Sequence, residues 1–245
     1  AALKRLTRGP VYVCEAPNGP LAPDQPGVIR ATFDGPHPAG LPGTHIHHLF
    51  DAGPTRPVWT IGYQDTAAIG TLLRTGIYPA ERVVALAGPR VAKPRLIRTS
   101  RGVRLRDLTE GQLTPSPDGH VARVLSGSAL TGREAAYLGA RAQIVSVLDG
   151  PLPERTGWVA RLTRAARHGP RPIVPTEALE HAAPQGIPPV PLLRALAVGD
   201  TETARRLGAA GLIEEDVALL SALCTSRADY GPLLRRVLDD IAEAV

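Results

Sequence analysis

The sequence predicts an α/β protein in three regions: a parallel sheet covered by helices over residues 1–90, a small β-grasp-like module over 91–158, and a linker and all-α C-terminal domain over 159–245. Three observations carry this. Short β-type runs alternate with helical ones from Val11 to Gly88, and two strands, a short helix and two further strands follow between Ala92 and Trp158. Beyond a proline-rich stretch from Gly169 to Pro191, every apolar pattern has helical spacing.

Taken in order, "AALKRLT" reads as the end of an amphipathic helix with Leu3 and Leu6 on one side. The chain contains no methionine, and this start reads as an interior one, with an expected N-terminal portion before it. "VYVC" and "VIRATF" are β-type runs, "GTHIHHLF" is helical from about Thr44, and "VWTIGY" is again β-type. The clearest helix begins near Gln64, where Ala67, Ile69, Leu72 and Leu73 form an apolar stripe and Gly76 stops it. "RVVALAG" closes the first region, and "PRLIRT", "RLRDLTEG", "ARVLSG" and "IVSVL" make up the second. In the third, Asp200 or Thr201 caps a helix that Gly208 or Gly211 ends, followed by "EEDVALLSALC" and "YGPLLRRVLDDIAEAV".

Composition narrows the function classes. With 43% apolar residues, 245 residues are ample for a buried core. Cys14 and Cys224 are the only cysteines, which fits a reducing compartment and supplies neither a disulfide framework nor a zinc module. The net charge of +5 is carried by arginine, with Lys4 and Lys93 the only lysines. The basic residues read as scattered, and aromatics amount to 4%, a pattern that argues against nucleic acid and weakly for an anionic surface such as a membrane face. No apolar run reaches the roughly 20 residues of a membrane helix, and "PVPLLRALAV" is broken by Arg194.

The densest chemistry lies in "GPHPAGLPGTHIHH", which holds His37, His45, His47 and His48 among glycines and prolines. On a helix from Thr44, His45 and His48 share a face while His47 points elsewhere, and Asp51 would complete a three-ligand stripe. An ordered turn that packs and hydrogen-bonds, a polar contact with a ligand or partner, and a metal site all remain open. Gly40 and Gly43 allow close backbone approach, and free N–H groups at Gly43, Thr44 and His45 favour an anion. "YQD", Tyr63 to Asp65, starts a helix after a β-type run, the place where open α/β sheets put ligands, with Asp65 expected as a helix-start residue. No nucleophile elbow, paired-carboxylate site or triad can be assembled, so the chain offers no self-contained catalytic centre.

The strings "HPAGLPGTHIH", "YQDTAAIGTLLRTG", "RVVALAGPRVAKPRLIRT", "SGSALTGR", "LLRALAVGDTETARRLGA", "EEDVALLSALC" and "DYGPLLRR", in this order, resemble the A-subunit family of bacterial sodium-translocating NADH:quinone reductases. The resemblance runs from Leu3 to Glu243 and implies a Rossmann-like domain lacking its first strand, a β-grasp module of the soluble-ligand-binding type, and a helical C-terminal domain. Relatives in the flavin-bearing chain of respiratory complex I and the C chain of the Rnf complex bind flavin and an iron–sulfur cluster. The resemblance implies, in contrast, a cofactor-free peripheral subunit on the cytoplasmic side of the bacterial inner membrane. It would contribute to ubiquinone binding and assembly, with FMN, FAD and iron–sulfur centres on membrane-embedded and flavin-bearing partner subunits. A four-iron cluster needs about four thiolates, and the helical region offers Cys224 alone, read as a buried apolar residue on a face with Leu219, Leu220 and Leu223. The sequence departs from the family pattern at Cys224-Thr225-Ser226-Arg227, where the family has Cys-Pro-Gly-Lys, at His48, where it has an apolar residue, and between Trp158 and Ile173, which is shorter. Resemblance and loop chemistry coincide at His37, Gly43, His45 and His47, with Tyr63, Gln64 and Asp65, as contacts for quinone or a partner; no metal is expected there. A truncated relative acting as a soluble ligand-binding or interaction module outside any pump is the alternative.

Overall fold

A computed structural model describes residues 2–19, 24–50, 52–53, 56–116, 119–150, 171–184 and 186–244. Asp51, and the short segment after Trp158 as far as residue 170, lie outside the described residues. The chain divides into two compact units, Ala1–Val58 with Pro170–Val245, and Trp59–Gly169. Its content is mixed α/β with helices at the C-terminal end.

The first unit opens with α1 (Ala2–Leu6), followed by β1 (Val11–Glu15) and β2 (Val28–Thr32). The two strands pair in parallel, Val11 opposite Val28 through Glu15 opposite Thr32. α2 (Pro42–Leu49) follows, with Pro42 in its first turn, where the missing N–H costs nothing. The Tyr12 hydroxyl donates to the Leu49 carbonyl at 3.5 Å, tying β1 to the end of α2.

In the second unit, α3 (Tyr63–Thr75) ends on Gly76 in the left-handed region, φ 72°, at the stop the stripe predicts. The expected strand over "VWTIGY" does not form: Val58–Gly62 runs without a partner, with Trp59 93% exposed, directly into α3. β3 (Glu81–Ala87), β4 (Arg95–Ser100), α4 (Leu105–Thr109), β5 (Ala122–Ser126), β6 (Arg133–Glu134) and β7 (Ile144–Asp149) follow. The strands form one sheet in the order β4-β3-β7-β5-β6, antiparallel except for β3 against β7.

The placement of β3 corrects the expectation that grouped it with β1 and β2. Its connection to β4 is too short for a parallel crossover, so the pair closes as a hairpin. Its alternating burial, with Arg82, Val84 and Leu86 inward, is that of a strand with one covered face. Gly88, φ 124°, turns the chain where any Cβ would meet the Val147 backbone, 2.8 Å from its nitrogen. Val84, Leu86, Val91, Leu105, Leu138, Val145 and Val147 form this unit's core.

The C-terminal helices return to the first unit. α5 (Glu177–Ala182) and α6 (Pro189–Val198) lead to α7 (Thr201–Arg206), capped by Asp200 accepting from the Thr203 N–H at 2.9 Å, as expected. Two 3-10 turns, Ala209–Gly211 and Glu214–Val217, precede α8 (Ala218–Leu223) and α9 (Tyr230–Glu243). On α9 the buried residues Tyr230, Leu234, Val237 and Ile241 keep helical spacing and join Leu192, Leu193, Leu196 and Leu220 in a separate core. Cys224 lies in that core at 3% exposure, with the Ser226 hydroxyl donating to its sulfur at 3.1 Å and Tyr230 Oη 2.8 Å from Ser226 Oγ. Leu223, expected on the same face, is instead 40% exposed at the helix end.

Candidate functional site

The histidine-rich segment folds as a turn running into α2. His37 precedes Pro38 through a cis peptide, and backbone bonds from Ala39 to Pro36 and from Leu41 to Pro38 close the turn. His45 faces back onto it: Nε2 donates to the Ala39 carbonyl at 2.9 Å, and the ring lies on Phe33 with centroids 4.2 Å apart. The His48 ring also meets Phe33, with centroids 6.1 Å apart, while His47 is exposed and meets His48 edge-on at 5.5 Å. His45 and His48 thus share a face as the spacing predicts, and both rings meet Phe33. Among the described residues no three His, Cys, Asp or Glu side chains are placed to hold a metal.

At the first turn of α2 the backbone is buried. A Cβ added at Gly43 would overlap both carboxylate oxygens of Asp216 and stand 2.5 Å from its Cγ. Asp216 belongs to the Glu214–Val217 turn, is fully buried, and accepts from the Ile213 N–H at 2.9 Å through Oδ2. The position where the sequence favours an external anion is therefore packed by the chain's own carboxyl group. Sequence reasoning alone misses Asp216. The available signal is an acid standing in the apolar run "EEDVALL" three residues after Ile213, the spacing of a side chain reaching back to a turn's first N–H.

Tyr63, Gln64 and Asp65 occupy the start of α3 in the second unit, so the structure does not place them in the same unit as His37, Gly43, His45 and His47. Gln64 staples the helix to β3: its amide donates to the Val83 carbonyl at 2.8 Å and accepts from the Val83 N–H at 3.0 Å. Asp65 does not cap α3, whose N-cap is Gly62. It accepts instead from Arg82, at 3.2 and 3.3 Å, and from Arg101. Arg82 is 2% exposed and also donates to the Ala140 carbonyl. Burial raises the Asp65 carboxyl, but the bonds and charges of Arg101 and Arg82 outweigh it and hold it below the usual range. Arg82 carried a readable signal, because it stands in phase with the buried Val84 and Leu86. Tyr63 is 71% exposed and alone of the three is free to meet another molecule through its ring. Replacing Gln64 by alanine should lower the second unit's stability by about 1–2 kcal/mol, since two half-buried backbone groups of Val83 lose their partner. Urea unfolding monitored by circular dichroism measures this, and an unchanged midpoint would remove the stapling role.

Two family models match this sequence: the NqrA second alpha/beta domain over residues 1–78 and the NQRA C-terminal domain over residues 83–136. The NqrA protein of Hahella chejuensis, the A-subunit of a Na(+)-translocating NADH-quinone reductase, is 42% identical over 267 aligned residues, covering 98% of this chain. The chain belongs to the NqrA family. Proteins of the same name from Pasteurella multocida and Neisseria gonorrhoeae are also 42% identical over 98% of the chain. The chain spans 59% of the length of each of these NqrA relatives. The first family model ends beyond α3, whereas packing groups α3 with the five-stranded sheet, because Gln64 and Asp65 bind β3.

Proposed function

We propose that this chain acts within a sodium-translocating NADH:quinone reductase as a peripheral, cofactor-free part of its NqrA component, contributing to ubiquinone binding and to assembly with the membrane-embedded and flavin-bearing subunits. The observation that carries this reading is 42% identity sustained over 98% of the chain with NqrA proteins of such reductases. In this reading the parallel pair β1–β2 with α2 belongs to a Rossmann-like domain, and the five-stranded sheet is the β-grasp module. The chain supplies only two cysteines, in β1 and after α8, too few for an iron–sulfur cluster, so in this reading iron–sulfur centres sit on partner subunits, and FMN and FAD are assigned to those subunits with them. No helix among the described residues is long and apolar enough to cross a membrane. A position beside the anionic cytoplasmic face of the inner membrane suits the exposed Lys93, Arg95, Arg104 and Arg106 of the second unit.

Affinity capture of the tagged chain from detergent-solubilised membranes tests the assignment. Membrane-embedded and flavin-bearing subunits should be recovered with it; a clean monomer without partners overturns the reading and favours a soluble interaction module. Among the candidate residues, His37 and His47 of the first unit and Tyr63 of the second are exposed and are the groups left to touch quinone or a partner. Changing His47 to glutamine should alter unfolding by no more than about 0.5 kcal/mol while lowering quinone-dependent turnover of the assembled complex. Unchanged quinone kinetics and assembly would withdraw His47 from the site.

A further inference from the structure

Asp216 is the one acidic side chain among the described residues that is fully buried, and it makes no ion pair. Its Oδ2 accepts one bond, from Ile213, and its Oδ1 has no hydrogen-bond partner. Thr44 Oγ1, in the α2 turn that Asp216 packs against, is buried and also without a partner. A buried carboxylate with one unsatisfied oxygen and no countercharge is costly; a neutral carboxylic acid is far less so and gains a proton to donate. We propose that Asp216 is a proton-operated latch: as a neutral acid it seats the Gly43–Thr44 turn of α2 on the C-terminal helices, and on ionisation it lets that turn come away.

The Glu214–Val217 turn packs on α9, α8 and α2, and none of them neutralises Asp216. α9 carries Arg235, Arg236, Asp239, Asp240 and Glu243; Arg235 is spent on Glu214, with both bonds at 2.7 Å, and the other four are exposed. α8 carries no charged residue. From α2 come His45, already bonded to Ala39, and His47 and His48, which are exposed. Within the turn, Glu215 adds a like charge. Burial pushes the Asp216 carboxyl up to about 6, more than the Ile213 bond draws it down. The direction follows: the folded form holds the proton more tightly than an open one, so the latch is fully closed below the ordinary carboxylate value and loosens as pH rises through about 6. The ionised form regains water only by opening, and the proton leaves to solvent. This goes beyond the quinone reading and does not depend on it.

Hydrogen exchange of the Gly43–Leu49 amides, corrected for intrinsic rates, tests the latch on this chain and its Asp216→Asn variant, in which the amide keeps the shape without a titratable proton. In the unaltered chain the opening constant should rise about 10-fold between roughly pH 5 and pH 7.5, while the variant should show no such rise. A flat profile in the unaltered chain overturns the latch. So does an equal rise in the variant, which would assign the effect to the histidines of α2.

Discussion

Replacing Gly43 by alanine is expected to cost the first unit on the order of 3 kcal/mol or more, combining the strain of an overpacked core with displacement of a buried acid. The added methyl has nowhere to go. It would overlap the Asp216 carboxyl, which the Ile213 N–H holds in place, and that turn is itself fixed by α8 and α9. Because the clash involves one defined partner, the loss should be strongly non-additive with a change at that partner. Asp216→Ala alone removes the turn's bond to Ile213, yet in the Gly43→Ala background it also makes room for the methyl. The double variant should therefore be more stable than the sum of the two losses predicts. Urea unfolding of the four proteins measures this cycle. A Gly43→Ala protein within about 0.5 kcal/mol of the unaltered chain would mean that α2 does not pack on that turn.

How much of this was legible depended on whether a residue's partner lies near it in sequence. The α3 helix with its Gly76 stop and the Asp200 cap are local events, and spacing predicts them because the interacting groups are within a turn of each other. The face shared by His45 and His48 follows from helical period alone, but Phe33 beneath it arrives from the end of β2 and leaves no trace in the spacing. Gly43 reads from the sequence as a place of close approach, whereas what approaches it comes from the far end of the chain. The same limit governs β3: a run of apolar residues does not name its partner, and the hairpin to β4 became visible only through hydrogen bonds. Asp65 reads as a cap because its two arginines, Arg82 and Arg101, lie in later strands and turns.

That pair of arginines leads to the second large effect. Asparagine at position 65 should cost the second unit about 3 kcal/mol or more at neutral pH, since it leaves the charge of a buried arginine without its partner. Arg82 keeps its bond to the Ala140 carbonyl but loses the carboxylate, and Arg101, stacked 5.5 Å over Tyr78, loses the same anchor. The pH dependence has a defined sign. The folded-state pKa of Asp65 is lowered, so its contribution is fully present above the unfolded carboxylate value near 4 and is lost as pH falls through the lower folded value. Asp216 slopes the other way, its contribution fading as pH rises through about 6. Exchange at the Val83–Leu86 amides of β3 reads the Asp65 effect away from α2. In the unaltered chain their protection should hold from neutral pH down to about pH 4 and then fall; in Asp65→Asn it should already be low at neutral pH and lack that acid step. Equal protection in the two proteins at neutral pH would show that Arg82 is held by the Ala140 carbonyl and its packing alone, with the carboxylate dispensable.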